Sequence, residues 1–169
     1  MNLFDALSHC SDTLSDFGGH AIAAGLSINM ADFDAFSEKI NKYADTVLKD
    51  GDMIPCLKID CPLSAQNISI GLAKLISKLE PFGTGNEKPV FSLLDTEVIN
   101  ISTVGNENQH LRMRIAKDNI TINCIGFGMA EFADKIRPHS RVDIAFTLEI
   151  NNYMNNETVQ LALKDIKRR

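Results

Sequence analysis

The sequence predicts an α/β region in the first half of the chain and a small five-stranded β-barrel in the second half. Apolar residues in the first half recur mostly at steps of three and four, as on one face of a helix. After Val90 they alternate with polar residues, as in half-buried strands. The period changes beside residues 79–91, a segment rich in glycine and proline that predicts an ordered connector.

Two helices and two short strands are expected before the connector. The first helix spans residues 31–50, with Asn29 and Asp32 in the register of a capping box and Gly51 at its end. The second begins at Ser64 and is closed by Pro81. Residues 26–28 and 56–60 have the pattern of short strands, so this half is predicted to be α/β.

Five strands are expected after the connector. They are Phe91–Val104, His110–Lys117, 120–127, Arg141–Tyr153 and 158–166. Residues 130–136 predict a short helix between the third and fourth strands, and Asp118-Asn119 and Asn155-Asn156 supply residues that tolerate the positive φ of a tight hairpin. This order is that of an OB-fold, whose closed sheet leaves a strand face and loops available for oligonucleotides.

Composition limits the kinds of partner. The chain has 169 residues, a net charge of −5 and a pI near 5.3, which argues against a surface that is basic throughout. Any nucleic-acid contact must therefore be a local patch. The four cysteines lack metal-ligand spacing, so we expect reduced thiols and no structural zinc. No apolar stretch approaches the roughly 20 residues of a membrane span, so we expect no membrane partner and a cytoplasmic location.

Residues 17–25 form a candidate phosphate-binding motif. Gly18 and Gly19 allow amide N–H groups to close on an anion, and His20 adds a side-chain donor. If residues 21–24, which include Ala23, form a helical turn, its free N–H groups face the same anion and Gly25 ends the turn. The alternatives are a plain loop entering a packed helix, and a buried His20 bonded to a backbone carbonyl.

The second predicted barrel strand carries a basic stripe. Alternation sends Leu111, Met113 and Ile115 to one face and His110, Arg112 and Arg114 to the other. Such a stripe can follow a phosphate backbone, or it can be a solvated surface. The candidate base-stacking residues, which are equally plausible core residues, are Phe127 and Tyr153.

Two separated motifs resemble a known family. Phe-Gly-Gly-His at residues 17–20 with Ala-Ala-Gly at 23–25, followed by Leu-Glu-Pro-Phe-Gly-Thr-Gly-Asn at 79–86, look like the C-terminal part of the RecJ family of single-stranded-DNA-specific exonucleases. The resemblance implies part of a DHHA1 domain at residues 1–63, a helix and connector at 64–89, and an OB-fold at 90–169. The connector residues that carry it are Phe82, Gly83, Gly85 and Asn86. The family connector usually reads Gly-Asn-Pro, whereas Glu87 follows Asn86 here.

The resemblance also implies that catalysis and substrate binding belong to different domains. RecJ-like enzymes hold their catalytic metal ligands in an N-terminal DHH domain with an Asp-His-His triplet, and no such triplet occurs in this sequence. We therefore expect a substrate-binding part without catalytic or metal-binding residues, with Mn²⁺ or Mg²⁺ in the missing domain. The expected partners are single-stranded DNA, the DHH domain, and replication or repair proteins. The alternatives are a protein-interaction module, and the substrate-binding part of a DHH-superfamily phosphodiesterase for oligonucleotides or cyclic dinucleotides.

Overall fold

The computed structural model describes residues 1–153 and 156–169, which form two compact units, Met1–Leu57 and Lys58–Arg169. The first unit has the order α1 (Leu3–His9), β1 (Asp16–Gly19), β2 (Ala24–Ser27) and α2 (Phe33–Val47). The second has β3 (Cys61–Pro62), α3 (Ile70–Ser77) and then the strands and short helix of a barrel. None of the helices in the described residues is long and apolar enough to cross a bilayer.

The predicted helical turn at residues 21–24 is wrong, because these residues belong to a β-hairpin. Strands β1 and β2 pair antiparallel, with Gly18 opposite Gly25 and Gly19 opposite Ala24. The His20 N–H donates to the Ala23 carbonyl at 2.7 Å and closes the connection. A four-residue helix has little to offset its nucleation cost, whereas the strand pairing adds several bonds at once. Gly25 therefore lies within a strand and ends no helix.

Two further predictions for this half are corrected by the structure, one in its boundaries and one in its existence. The helix predicted at residues 31–50 is observed at Phe33–Val47, after a 3-10 turn at Met30–Asp32. The strand predicted at 56–60 is wrong, since regular pairing is limited to Cys61–Pro62 parallel to the start of the first barrel strand. Pro55 and Pro62 flank that segment without N–H donors, which restricts the ladder it can form.

Helix α3 begins later than Ser64. Residues Ala65–Asn67 form a 3-10 turn, and the helix starts after Ser69, whose side chain accepts the Leu72 N–H at 3.2 Å. Ala73 and Ile76 are buried. Leu75 and Leu79 are exposed. The shift follows from local capping, because Ser69 and not Ser64 satisfies a free helix N–H.

The connector is ordered by its own hydrogen bonds. The Asn86 side-chain amide donates to the carbonyls of Leu79 and Pro81 at 2.8 and 2.9 Å. Gly83 and Asn86 exchange two backbone hydrogen bonds of 2.9 and 3.0 Å, with Gly85 at φ +83° between them. Phe82 packs against the barrel core. Asn86 therefore organises this turn even though a glutamate replaces the usual following proline.

The second half is a closed barrel, as predicted. Its elements are β4 (Phe91–Val104), β5 (His110–Lys117), β6 (Ile120–Gly126), α4 (Phe132–Lys135), β7 (Arg141–Tyr153) and β8 (Asn156–Arg168). Strand order β4-β5-β6-β8-β7 closes because β7 also pairs with β4, and only the β6–β8 pairing within the barrel is parallel. Thus an α/β segment precedes a five-stranded OB-fold, which confirms the predicted fold class.

Turns and a bulge shape the barrel. Asp118 and Asn119 adopt φ of 51° and 62° in the β5–β6 hairpin, as predicted. The other predicted turn, Asn155-Asn156, lies partly outside the described residues. Strand β4 changes register between Leu93 and Thr96, where Asp95 has φ 54°, and this bulge lets one long strand pair with two neighbours. The fully buried side chains inside include Phe146, Leu111, Met113, Ile115, Ile144 and Leu161.

Candidate nucleic-acid interface

Strand β5 presents the predicted basic stripe. Leu111, Met113 and Ile115 are at most 1% exposed, whereas Arg112 and Arg114 are exposed. The predicted alternation is therefore confirmed by the structure. Burial of the apolar face fixes the register, because a slip by one residue would place both arginines in the core.

A cleft of about 510 Å³ opens beside this stripe. Its lining comes from three neighbouring barrel strands and the end of a fourth, and none of the described lining residues is acidic. The described residues that line it are Arg112, Asn123, Cys124, Asn151, Asn156, Thr158 and Gln160. Apart from the buried Cys124, each of these described side chains offers hydrogen-bonding groups.

The cleft occupies the part of the barrel that OB-folds use for oligonucleotides. Strands β5 and β6 are the second and third strands of the barrel, and the cleft also reaches the ends of β7 and β8 beside the fourth connection. OB-folds bind oligonucleotides on the face of strands two and three together with the loops after strands one and four. The position of the cleft and the chemistry of its lining therefore both match the face on which OB-folds bind oligonucleotides.

The two arginines of the stripe have no carboxylate partner within residues 1–153 and 156–169. Several other cations of the barrel are paired: Lys117 and Arg141 approach Asp95 at 3.8 and 3.7 Å, and Arg169 binds Asp143 at 2.6 Å. An unpaired guanidinium keeps its five donors for a ligand and matches phosphate geometry. The basic groups of the cleft are thus available for an anion.

The sequence did not reveal the amides of the cleft. Asn123 and Gln160 face each other across the parallel β6–β8 pairing, and Asn151 lies opposite Thr158 on β7 and β8. Each is a single polar position in a strand, which is typical of any solvated surface. Only strand order brings these residues together, and residue spacing carries no signal of it.

Phe127 stands at the edge of the same strand face and does not belong to the core. Its side chain is 64% exposed, and its ring meets that of His110 edge-on, with centroids 5.2 Å apart at 76°. The Gly128 N–H donates to His110 Nδ1 at 3.1 Å. The alternative that Phe127 is a core residue is therefore excluded. The side chain of Tyr153 lies outside the described part of the chain.

The Gly-Gly-His hairpin is exposed along its length. Gly18, Gly19, His20 and Ala23 all lie at the surface, which excludes a buried histidine. Gly19 has φ +142°, and a Cβ there would approach the Ala23 carbonyl oxygen to 2.5 Å, so the position requires glycine. The His20 N–H is used within the hairpin, which leaves the imidazole and the remaining turn amides to face a ligand.

The connector, which the sequence offered as a candidate site, contributes none of the described residues that line the cleft. The connector's Phe82 lines a separate groove of about 300 Å³ between α3 and β7.

Among the residues that the structure describes, no three His, Cys, Asp or Glu side chains converge as a metal site would require. Beneath the cleft, burial raises the pKa of the Cys124 thiol well above its usual value. Cys124 is therefore a neutral packing residue.

Comparison with known proteins agrees with this architecture. A family model described as RecJ OB domain matches residues 59–165. The single-stranded-DNA-specific exonuclease RecJ of Bacillus subtilis is 32% identical over 164 residues, 97% of this chain and 21% of that protein. RecJ of Salmonella typhimurium is 27% identical over 165 residues, 92% of this chain and 27% of that protein.

A solved structure shows the same fold along almost the whole chain. The crystal structure of Thermus thermophilus RecJ in complex with Mn²⁺ superposes with a TM-score of 0.79 at 23% identity, over 98% of this chain and 24% of that one. The present chain thus spans between a fifth and a little over a quarter of the length of these relatives. On the match to residues 59–165, the chain belongs to the RecJ OB domain family.

Proposed function

We propose that this chain is the single-stranded-DNA-binding part of a RecJ-like 5′-to-3′ exonuclease, acting beside a DHH catalytic domain that the chain does not contain. The observation that carries the proposal is the acid-free cleft with Arg112 on the strand face where OB-folds bind oligonucleotides. The names of the relatives support the choice of substrate, since each is called a single-stranded-DNA-specific exonuclease.

The cleft and the exposed side chains beside it supply the three kinds of contact that an unpaired strand needs. Arg112 and Arg114 neutralise phosphates, and the affinity they contribute falls with salt. The amides of Asn123 and Gln160 bond to the edges of bases, which a single strand leaves free. Phe127 offers an exposed ring for stacking. A duplex hides its base edges and faces, so it engages the phosphate contacts alone.

In this proposal the hairpin of the first unit makes a second phosphate contact. The expected DHHA1 identity of residues 1–63 and the exposure of Gly18, Gly19, His20 and Ala23 support this role. The contact relies on the His20 imidazole and on turn amides, without a helix dipole. A His20→Ala variant of the chain is expected to bind a single strand more weakly, and unchanged binding would remove this contact from the proposal.

The chain itself carries out no bond cleavage in this proposal. Its described residues bring no set of three metal-ligating side chains together, so we assign Mn²⁺ or Mg²⁺ to the DHH domain. The part played by this chain is to position the strand. The other proposed partners are the DHH domain and replication or repair proteins.

Fluorescence anisotropy with a labelled thymidine oligomer tests the proposal. Arg112→Gln and Arg114→Gln should each weaken binding roughly fivefold or more, because each removes a charge-assisted contact. Arg137→Gln is the matched control, since Arg137 is exposed but lies outside the cleft lining. Equal affinities for all four proteins, or tighter binding of a duplex than of the single strand, would refute the proposal.

A protein-docking role is the second candidate, favoured by the groove between α3 and β7. Five apolar side chains line it beside four polar or charged ones: Ala73, Ile76, Phe82, Leu148 and Ile150, with Ser77, Glu80, Lys88 and Glu149. Capture of a repair or replication protein that survives nuclease treatment and is lost in Phe82→Ala would support this role. Capture that disappears with the nucleic acid would leave DNA binding as the sole function.

A further inference from the structure

The hydrogen bond at His110 fixes the state of its ring. A backbone N–H can only donate, so the 3.1 Å bond from Gly128 requires an unprotonated Nδ1. The neutral ring therefore carries its proton on Nε2, which is the tautomer set by the partner of the other nitrogen. Protonation of Nδ1 would place two N–H groups against each other and break this bond.

The Gly128 amide that donates this bond directly follows Phe127, whose side chain lies outside the barrel. Strand β6 ends at Gly126, Phe127 follows, and Gly128 then turns the chain with φ +69°. The His110 ring thus makes two contacts with this turn, the bond to Gly128 and the edge-on contact with Phe127. A ring that is 64% exposed otherwise has little packing to fix its direction.

We propose that His110 is a positioning residue, whose neutral ring holds the Phe127 side chain as a stacking platform for an unpaired base and releases it on protonation. This inference rests on the proposed function and refines the predicted role of His110, from a direct nucleic-acid contact to a support for one. Histidine side chains change charge between pH 5 and 8, so the platform is expected to weaken within that range.

Few other charged groups lie on the elements around His110. The loop between β4 and β5 carries Glu107, β5 carries Arg112 as the next residue on the same face, and the segment after Gly128 carries Glu131. Charge on these groups acts on the phosphates whether or not Phe127 is present. The ratio of the dissociation constant of Phe127→Ala to that of the unchanged chain therefore measures the contribution of the Phe127 ring to binding.

Binding measurements should use the full chain, a thymidine oligomer and a strand of equal length made of abasic sites. At pH 8, His110→Ala and Phe127→Ala are each expected to weaken binding of the thymidine strand roughly fivefold or more. The double variant should bind no worse than either single variant, and the abasic strand should show neither effect. His110→Asn should restore binding, because its side-chain oxygen can accept the Gly128 N–H without titrating.

The pH profile separates positioning from a structural role. The Phe127 ratio should fall towards one between pH 8 and pH 5 in the unchanged chain and stay constant in His110→Asn. His139→Asn is the matched control, since His139 is exposed and bonds to Glu97 away from the cleft lining. A ratio independent of pH in both proteins, or a His110→Ala loss that persists on the abasic strand, would overturn the inference.

NMR spectroscopy of the chain without DNA tests the hydrogen bond between Gly128 and His110 directly. At pH 8 the Gly128 amide should be protected from exchange, and the His110 Nδ1 shift should be that of an unprotonated nitrogen. The protection factor of this amide, which compares its exchange rate with the intrinsic rate at the same pH, should fall in His110→Ala and at pH 5, but not in His110→Asn at either pH. If these signals appear and no strand binds, the proposed function fails while the positioning stands. Equal Gly128 exchange in all three proteins would refute the positioning.

Discussion

Gly19 and its neighbour Gly18 show how one backbone angle decides whether a position requires glycine. Both precede His20 in the hairpin, yet only Gly19 has a positive φ and a blocked Cβ position. Nothing lies within 4 Å of a Cβ at Gly18. The two glycines look equivalent in the sequence motif, whereas the structure requires glycine only at the second, Gly19.

A pair of alanine variants tests this difference. Gly19→Ala should destabilise the hairpin by more than about 1 kcal/mol, because the new Cβ meets backbone and the residue must hold an unfavourable φ. Gly18→Ala should change it by only a few tenths of a kcal/mol. Amide hydrogen exchange of β1 and β2 reports the local opening free energy of the first unit. Equal exchange in the two variants would contradict the assigned strain.

At the scale of elements, patterns that repeat along one strand predicted the structure best. The alternation on β5 placed its arginines and core residues correctly, because one buried face determines the whole strand. Short segments were predicted less well. Residues 21–24 are alanine-rich but form the turn of a hairpin and the first residue of its second strand, and residues 56–60 alternate but lie between prolines. The cleft itself was beyond prediction from sequence, since its amides come from different strands.

Helix α3 offers a direct test of where an element begins. Ser69→Ala should lower the free energy of unfolding of the second unit by about 1 kcal/mol, because it removes the acceptor of the Leu72 N–H. Ser64→Ala is the matched control, since the Ser64 side chain makes no capping bond. Urea unfolding followed by circular dichroism measures both. A larger loss in Ser64→Ala would mean that the helix starts where the sequence suggested.

At the scale of the whole molecule, two regions of the barrel differ in how far their charges are paired. One region, around the β4 bulge, is internally paired: Asp143 accepts from the Asp95 N–H at 2.8 Å and from Arg169 at 2.6 Å. The other, around the cleft, leaves Arg112 and Arg114 without a described carboxylate partner. A chain with a net charge of −5 can therefore still present a local basic surface.

The paired region predicts a pH dependence of stability. Burial raises the pKa of Asp143, but the hydrogen bonds from Arg169 and the Asp95 N–H, with the charges of Arg169 and Lys167, outweigh it and hold the pKa below its ordinary value. Since the folded pKa is lower than the unfolded one, the stabilisation is present above about pH 4 and is lost as the pH falls through the folded pKa.

Asp143→Asn should therefore lower the unfolding free energy at pH 7, and the difference from the unchanged chain should shrink below about pH 4. Asp134→Asn is the control, since Asp134 makes no ion pair with any residue in the described ranges. Thermal unfolding between pH 7 and pH 3 is the measurement. A difference that grows with acidity would mean that the Asp143 carboxylate destabilises the fold.

The salt dependence of single-strand binding tests the central claim most directly. A plot of log K against log salt concentration has a slope of about −0.7 for each phosphate that the protein neutralises on a single strand. For the chain with Arg112 and Arg114 both changed to glutamine, we predict a slope shallower by about 1.4 than that of the unchanged chain. Arg137→Gln should keep the original slope. The same slope in the double variant as in the unchanged chain would contradict phosphate binding by this surface.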